Sequence, residues 1–376
     1  MKKCIVIPDS FKGSLSSLQI CEIARQSIGK FFPDCQVVTL PVADGGEGTV
    51  DCFLSAMPGE RVTLQVHGPY MEQITACYAR FGDTAIIEMA SAAGLPMVGE
   101  RKDPSATTTY GVGEQLLHAV KHGAKKIILG LGGSATNDAG CGAAAAAGVV
   151  FLDGQGVPFV PTGGTLSRIA SYDCTKARQL FAGVEITCMC DIDNPMYGPS
   201  GAAFVFGPQK GADPQMVEQL DQQLRALAKL LPEGTDHLAG AGAAGAMGAG
   251  MVAFLGAQLR SGIETVLDVV DFDRQLEGTD LVLTGEGKID SQSLRGKVVI
   301  GVARRAAAKQ VPVCAVVGDV GDDAYDAYSM GVSAIFSTNR LAIPFSQAKL
   351  RSEQDYRHTL EDLLRLIQTV QQMKKS

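Results

Sequence analysis

The chain has 376 residues, a formal net charge of −7, 46% hydrophobic residues and no tryptophan. Such a length and apolar content give about two folded domains and exclude a disordered chain. Lys and Arg are scattered, with no run longer than pairs such as Lys125-Lys126 or Arg304-Arg305, so nucleic acid is excluded as a partner, because neutralising phosphates needs clustered cations.

Glycine is the compositional outlier: 44 of 376 residues, well above a usual share of about 7%, with no collagen-like Gly-X-Y period. The ten cysteines show no CxxC spacing. Cys4, Cys188, Cys190 and Cys314 sit in apolar, strand-like stretches, which reads as free thiols in a reducing compartment. Only Cys4 to Pro8 separate Lys2-Lys3 from polar Asp9, too short for the apolar core of a secretory leader. The uncharged stretch from Ala239 to Leu259 is mostly Gly and Ala and reads as a packed loop and helix rather than a membrane span. A soluble, cytoplasmic protein with no membrane partner is expected.

In chain order, the spacing predicts a strand at Cys4 to Ile7, a helix from about Ser17 to Phe31, and a strand at Gln36 to Leu40 followed by a short helix. This is the βαβα rhythm of a parallel sheet. Arg61 to Val66, Ile74 to Arg80 and Thr84 to Met89 alternate as antiparallel strands do. A helix from about Thr108 to His122, a strand at Lys126 to Leu129, an Ala-rich helix after Asp138 and a strand at Ile186 to Cys190 follow. The first rhythm then returns: a helix from Gly262 to Leu276, a strand at Leu281 to Leu283, a helix from Lys297 to Lys309, a strand at Val313 to Val317, a helix, a strand at Ala334 to Phe336, and an amphipathic helix from Glu353 to Met373. The simplest α/β architecture is a split Rossmann-like parallel-sheet domain, residues 1–60 plus 260–376, with a mixed α/β domain inserted at 61–259.

Several strands end in loops that are both Gly-rich and acidic. In open α/β sheets ligands gather at the carboxyl ends of strands, glycine lets backbone approach them closely, and backbone amides cradle phosphate. Carboxylates beside phosphate call for Mg²⁺, which takes hard oxygen ligands from one or two acids plus the phosphates. Asp44 with Glu47, and Glu286 with Asp290, each put two carboxylates in one short segment. Lys12 is an unusual cation in a strand-end loop and would steer phosphate as a point charge. Taken singly, each loop also reads as an ordinary turn and Lys12 as a surface lysine.

Gly130-x-Gly132-x-x-Ala135 follows a strand and opens a helix, with Asp153 about twenty residues on, as in a dinucleotide fingerprint. Asp138 in the first helical turn would repel a pyrophosphate, and Asp153-Gly154 reads as a hairpin turn between Val149-Val150-Phe151 and Val157. A dinucleotide oxidoreductase is thus a distant alternative. His118 and His122 lack the Glu of an HExxH motif and read as ordinary histidines. There is no Walker A sequence and no GxSxG elbow.

Taken together, Pro8-Asp-Ser-Phe-Lys-Gly-Ser14, Ala43-Asp-Gly-Gly-Glu-Gly-Thr49, Thr107-Thr-Thr-Tyr-Gly111, Gly132-Gly-Ser-Ala-Thr-Asn-Asp138, Asp191-Ile-Asp-Asn-Pro195, Phe206-Gly-Pro-Gln-Lys-Gly-Ala212 and Gly285-Glu-Gly-Lys-Ile-Asp290 occur in that order. By these the chain resembles the bacterial glycerate kinases of the first class over nearly its whole length, more weakly after about Asn339. Ala246 and Met196 depart from the family pattern, where Gly and Leu are usual.

The resemblance implies a flavodoxin-like domain interrupted by a second α/β domain, with the active site in the interdomain cleft. It implies transfer of the ATP γ-phosphate to D-glycerate with Mg²⁺, the 2-position favoured over the 3-position. Another small-hydroxy-acid kinase and a non-catalytic binder are the competing readings. Lys12, with Ser10 and Ser14, is expected to hold phosphate. Asp44, Gly45, Gly46, Glu47 and Glu286 are assigned to nucleotide or Mg²⁺. Gly132, Gly133, Ser134, Asn137 and Asn194 are assigned to phosphate or the glycerate carboxylate, for which Lys210 and Arg295 are further cations. Asp191 or Asp290 is the candidate base. Monomer and homodimer are both left open.

Overall fold

Five short runs rich in Val, Ile and Leu are spaced by helical segments, and they pair as the βαβ rhythm requires. The computed structural model describes residues 1–43 and 45–373. In it, Lys3–Pro8, Gln36–Thr39, Leu281–Gly285, Val313–Val317 and Ala334–Ser337 form an all-parallel sheet. In space they run Ala334–Ser337, Val313–Val317, Leu281–Gly285, Lys3–Pro8, Gln36–Thr39. Numbered along the chain from the Gln36–Thr39 edge, that order is 2-1-3-4-5. The direction of winding reverses between Lys3–Pro8 and Leu281–Gly285, the switch point outside which such sheets bind ligands.

This sheet belongs to the first of two units, Met1–Ala43, Asp51–Met57 and Ile263–Ser376; the second is Asp44–Val50 and Pro58–Gly262. Cys4, Val6, Leu283 and Val316 pack against Ile20, Ala24 and Ile28 of helix Ser17–Phe31 and against Tyr356, Leu360 and Leu364 of helix Ser352–Met373. Strand alternation turns Ile5, Val282 and Ala315 the other way. All three are fully buried, and helix Val298–Ala308 contacts their strands. Both faces are therefore covered, as an all-parallel sheet requires. Ser16 starts the first helix with a capping box: its Oγ accepts from Gln19 N at 3.2 Å, while Gln19 Oε1 accepts from Ser16 N at 2.9 Å.

In the second unit a six-stranded sheet runs Gln258–Arg260, Glu185–Met189, Lys126–Gly130, Thr84–Glu88, Gln73–Phe81, Glu60–His67. Its first four strands are parallel, and the pairings from Thr84–Glu88 through Gln73–Phe81 to Glu60–His67 are antiparallel. Val150–Leu152 pairs antiparallel with Pro158–Phe159 across the turn at Asp153, whose Oδ1 accepts from Gln155 N and Val157 N. This is a hairpin, not a ribose-binding acid.

Two expected helices differ. The run from Gly262 to Leu276 is two helices, Gly262–Val269 and Phe272–Gln275, because Asp271 sits at φ 51° in the left-handed region. Ala324–Met330 winds as 3₁₀ turns rather than an α-helix. The Gly/Ala stretch forms helix Ala243–Leu255, with left-handed residues at Ala244, Gly245 and Ala246. No helix among the described residues is long and apolar enough to cross a membrane. All ten cysteines are free.

Candidate active site

In the first unit, the register that pairs Pro8 with Gly285 puts the loops after these two strands side by side at the switch point. The first is a tight turn: Phe11 N donates to Leu15 O at 2.8 Å, and Ser14 N and Oγ donate to Phe11 O at 2.9 and 3.1 Å. Phe11 is buried, and Lys12 is left exposed at the tip beside Gly13, which has φ +79°. Ser10 N donates to Asp9 Oδ1 at 2.6 Å.

Glu286 begins the second loop and is 5% exposed, with no partner for its Oε1. Burial pushes its carboxyl up to about 7; Asp9 and Asp290 add to this, while Ser293 and Lys297 oppose it. Asp290 folds its own turn, its Oδ1 accepting from Gln292 N at 3.0 Å and its N donating to Ser293 Oγ at 3.2 Å. A buried carboxylate with an unpaired oxygen, crowded by two further acids, is the environment that a hard divalent cation relieves. Glu286 therefore fits Mg²⁺. Among the described residues, no three of His, Cys, Asp and Glu gather as a metal site, so phosphate oxygens would have to complete the coordination. Arg295 is exposed in this same unit.

In the second unit the Gly-rich loops serve one another. A Cβ on Gly130 would lie 2.2 Å from Gly45 O, and one on Gly132 would lie 2.6 Å from Gly46 Cα. Gly132 N donates to Gly45 O at 3.0 Å. The Gly132 amide is thus engaged within the protein, whereas Gly133 is exposed at φ +74°. Glu47 is exposed on the same loop as Gly45 and Gly46. Asp44 lies outside the described residues.

Two further motifs, at residues 107–111 and 206–212, converge with the Gly/Ala stretch on the segment Ser134 to Asp138. Thr107 Oγ1 donates to Ala135 O at 2.9 Å. Asp138, fully buried, accepts from Thr109 N and Oγ1 at 2.8 and 2.9 Å and from Gly140 N and Gly142 N at 3.0 and 3.2 Å. Lys210, 2% exposed, donates from Nζ to Ser134 Oγ at 2.8 Å and to Thr136 O at 2.6 Å. Burial pushes its ammonium down to about 7, against the pull of Asp138. Gly245 packs so closely that a Cβ there would meet Thr136 O at 2.0 Å. At the centre, Asn137 is fully buried and neither its Oδ1 nor its Nδ2 has a partner; Thr136 Oγ1 is also unpaired.

This network also disposes of the dinucleotide alternative. Helix Cys141–Ala146 is short, and the amides that lead into it are already taken by the Asp138 carboxylate. The two histidines stack at 3.9 Å between ring centroids, with His118 Nδ1 bonded to Tyr78 Oη. Asp191, exposed just beyond strand Glu185–Met189, accepts from Gly262 N at 2.7 Å and Ser261 Oγ at 3.2 Å. Asn194 uses Nδ2 to bond Ser200 O at 2.8 Å, which shapes its own loop.

Two features escape the sequence reading. Glu88, buried at the end of strand Thr84–Glu88, accepts from Val50 N in the first turn of helix Thr49–Ala56 and so anchors the end of the Gly45–Thr49 loop. A lone acid at a strand end gives no signal that separates it from a surface residue. Beside Lys12 the sheet edge opens into a pocket of about 200 Å³ whose lining includes Ser14, Gly287, Gly318 and several residues between Thr338 and Asp355. No recognisable motif marks those last residues.

The sequence matches the glycerate kinase family over residues 4–368. It is 42% identical to a Bacillus cereus protein named glycerate kinase, over 96% of this chain and 97% of that one. It is also 42% identical to an Escherichia coli K12 protein named glycerate 2-kinase, over 89% and 90%. A crystal structure from Salmonella typhimurium LT2 superimposes with a TM-score of 0.85 at 40% identity, covering 99% of both chains. The family match runs through residues of both units, and the chain therefore belongs to the glycerate kinase family.

Proposed function

We propose that this chain transfers the γ-phosphoryl group of ATP to D-glycerate and releases ADP, with the 2-hydroxyl as acceptor. Full-length identity to proteins named for that activity carries the reading, and the relative named glycerate 2-kinase favours the 2-position. The flavodoxin-like strand order supports it by placing Lys12, Glu286 and Asp290 at a switch point, where phosphate-bearing ligands bind.

Phosphoryl transfer asks a protein mainly for positioning, charge neutralisation and a base. Lys12 meets phosphate as a point charge at the tip of a turn fixed by Phe11 and Leu15, with Ser10 and Ser14 beside it. Glu286 would hold Mg²⁺, which when bound neutralises charge on the phosphates; Asp44 and Glu47 are assigned to the same task. The Gly133 amide, Ser134 and Asn137 take the substrate carboxylate or the transferred phosphate, on a loop locked by Lys210 and Asp138. Asp191 or Asp290 accepts the proton of the attacking hydroxyl.

Incubation with ATP, Mg²⁺ and D-glycerate, followed by phosphorus NMR, tests this directly. The expected product is 2-phosphoglycerate. The 3-isomer would correct the position, preference for another hydroxy acid would replace the substrate, and no phosphorylated acid would refute the proposal.

A further inference from the structure

The pocket beside Lys12 lies wholly within the first unit, at the carboxyl edge of its sheet. Its character is mixed in a specific way. Phe11, held edge-on against Tyr356 at 5.8 Å between ring centroids, combines with Leu341, Ile343 and Phe345 into apolar lining. Thr338 and Asn339 supply neutral polar groups, and Lys12 and Lys349 supply positive charge beside the carboxylates of Asp319 and Asp355. The loop is anchored at its start by Thr338 N on Val317 O at 2.8 Å and Asn339 N on Ser337 Oγ at 3.0 Å.

Two of the apolar side chains are left open to water: Phe345 is 66% exposed and Leu341 46%. Large apolar side chains gathered at a pocket mark a surface that binding covers. D-glycerate carries an oxygen on every carbon and has nothing to match four apolar side chains. A nucleoside has: a flat base that stacks on aromatic and aliphatic surface, ring-edge donors and acceptors suited to an amide such as Asn339, and phosphates that run towards a lysine.

We propose that this pocket receives the nucleoside of the phosphoryl donor, with the base against Leu341, Ile343 and Phe345, the base edge or ribose on Thr338 and Asn339, and the phosphate chain leading to Lys12. The inference rests on the reading of this chain as an ATP-dependent kinase and adds where the non-reacting half of ATP is held. Residues 338–350 thereby become determinants of donor affinity rather than a linker to the last helix.

The test uses the whole protein. Photolabelling with 8-azido-ADP and Mg²⁺, with and without excess ADP, followed by peptide mapping, is expected to place the ADP-protected label within residues 338–350. Phe345→Ala and Leu341→Ala, both at exposed positions, are expected to raise KM for ATP by about tenfold and leave KM for D-glycerate within about twofold, with melting temperatures unchanged. Labelling confined to other segments, with ATP KM unmoved, would overturn the proposal. So would a change in oligomeric state of Phe345→Ala without any effect on ATP, because the patch would then cover a second copy. Failure here is separable from failure of the kinase reading. Phosphoglycerate formed with the label elsewhere removes only the pocket; protected labelling here without phosphoglycerate removes only the substrate.

Discussion

The Lys210 ammonium donates to Ser134 Oγ at 2.8 Å, 76 residues away in sequence, and the lysine is almost wholly buried. A sequence reading offers Lys210 as a cation for a substrate carboxylate. The structure makes it the clamp beneath the loop that carries Ser134 and Asn137. Burying an ammonium is costly unless it is hydrogen-bonded, and both acceptors that Lys210 finds are in that loop.

Lys210→Met should therefore lower kcat/KM for D-glycerate by about a hundredfold while the chain still folds, since an apolar side chain of similar volume tolerates the same burial. The pH dependence of stability gives a second readout. Lys210 releases its proton at about 7 in the folded chain against 10.5 ordinarily. Between these values the unfolded chain binds more protons, so this group makes stability rise as pH increases from 7 towards 10.5. Urea titrations across that range should show the rise in the native chain and a smaller one in Lys210→Met.

Glu286 has the opposite sign. Its folded carboxyl titrates at about 7 against 4.5 ordinarily, so the folded chain holds the extra proton between those values. The contribution of this group to stability is complete below 4.5 and is lost as pH rises through 7. Glu286→Gln should remove that loss and leave the chain at least as stable at pH 8. The same variant should lose most of the melting-temperature increase that Mg²⁺ with ADP gives the native chain, and should fall in kcat by about a hundredfold or more. An undiminished Mg²⁺-dependent shift would take Glu286 out of the metal site.

Asp191→Asn and Asp290→Asn separate the two candidate bases. The one that accepts the hydroxyl proton should lose roughly 10²–10⁴ in kcat along with the acidic limb of the pH–rate profile. Native-like turnover in either variant removes that residue from the role. Asp191 also accepts from Gly262 N and Ser261 Oγ, so its variant needs a melting-temperature control.

Lys12→Ala should raise KM for ATP or lower kcat, because the side chain stands exposed at the tip of a turn that Phe11 and Leu15 hold without it. Unchanged steady-state kinetics in both respects would return it to the status of a surface lysine.

Gln310 tests the backbone alone. It follows helix Val298–Ala308, is exposed, and sits at φ 58°, where a side chain is strained and glycine is not. Gln310→Gly should stabilise the first unit by about 0.5–1 kcal/mol, seen as a rise of roughly 1–3 °C in melting temperature, with activity unchanged.

The sequence by itself determined the order and kind of most elements, because apolar periodicity is a local property. The strands Lys3–Pro8, Leu281–Gly285 and Val313–Val317 and the antiparallel run from Glu60 to Glu88 could all be read from it, as could the motifs that mark the family. The helix break at Asp271 was not legible, since nothing in that stretch announces a left-handed residue. Tertiary structure alone decided which partners and what burial each motif residue has. The threonines Thr107 to Thr109 served in the sequence only to mark the family, and the fold shows them bonded to Ala135 O and the Asp138 carboxylate. The glycine excess read as room for phosphate, yet Gly130, Gly132 and Gly245 admit neighbouring backbone within the protein. Glu286 was already a candidate for nucleotide or Mg²⁺, yet its burial and its unpaired oxygen appear only in the fold. The reason is common to all three. Propensity and pattern are set by neighbours along the chain, whereas burial, hydrogen-bond partners and proton affinity are set by residues far away in sequence that only the fold brings close.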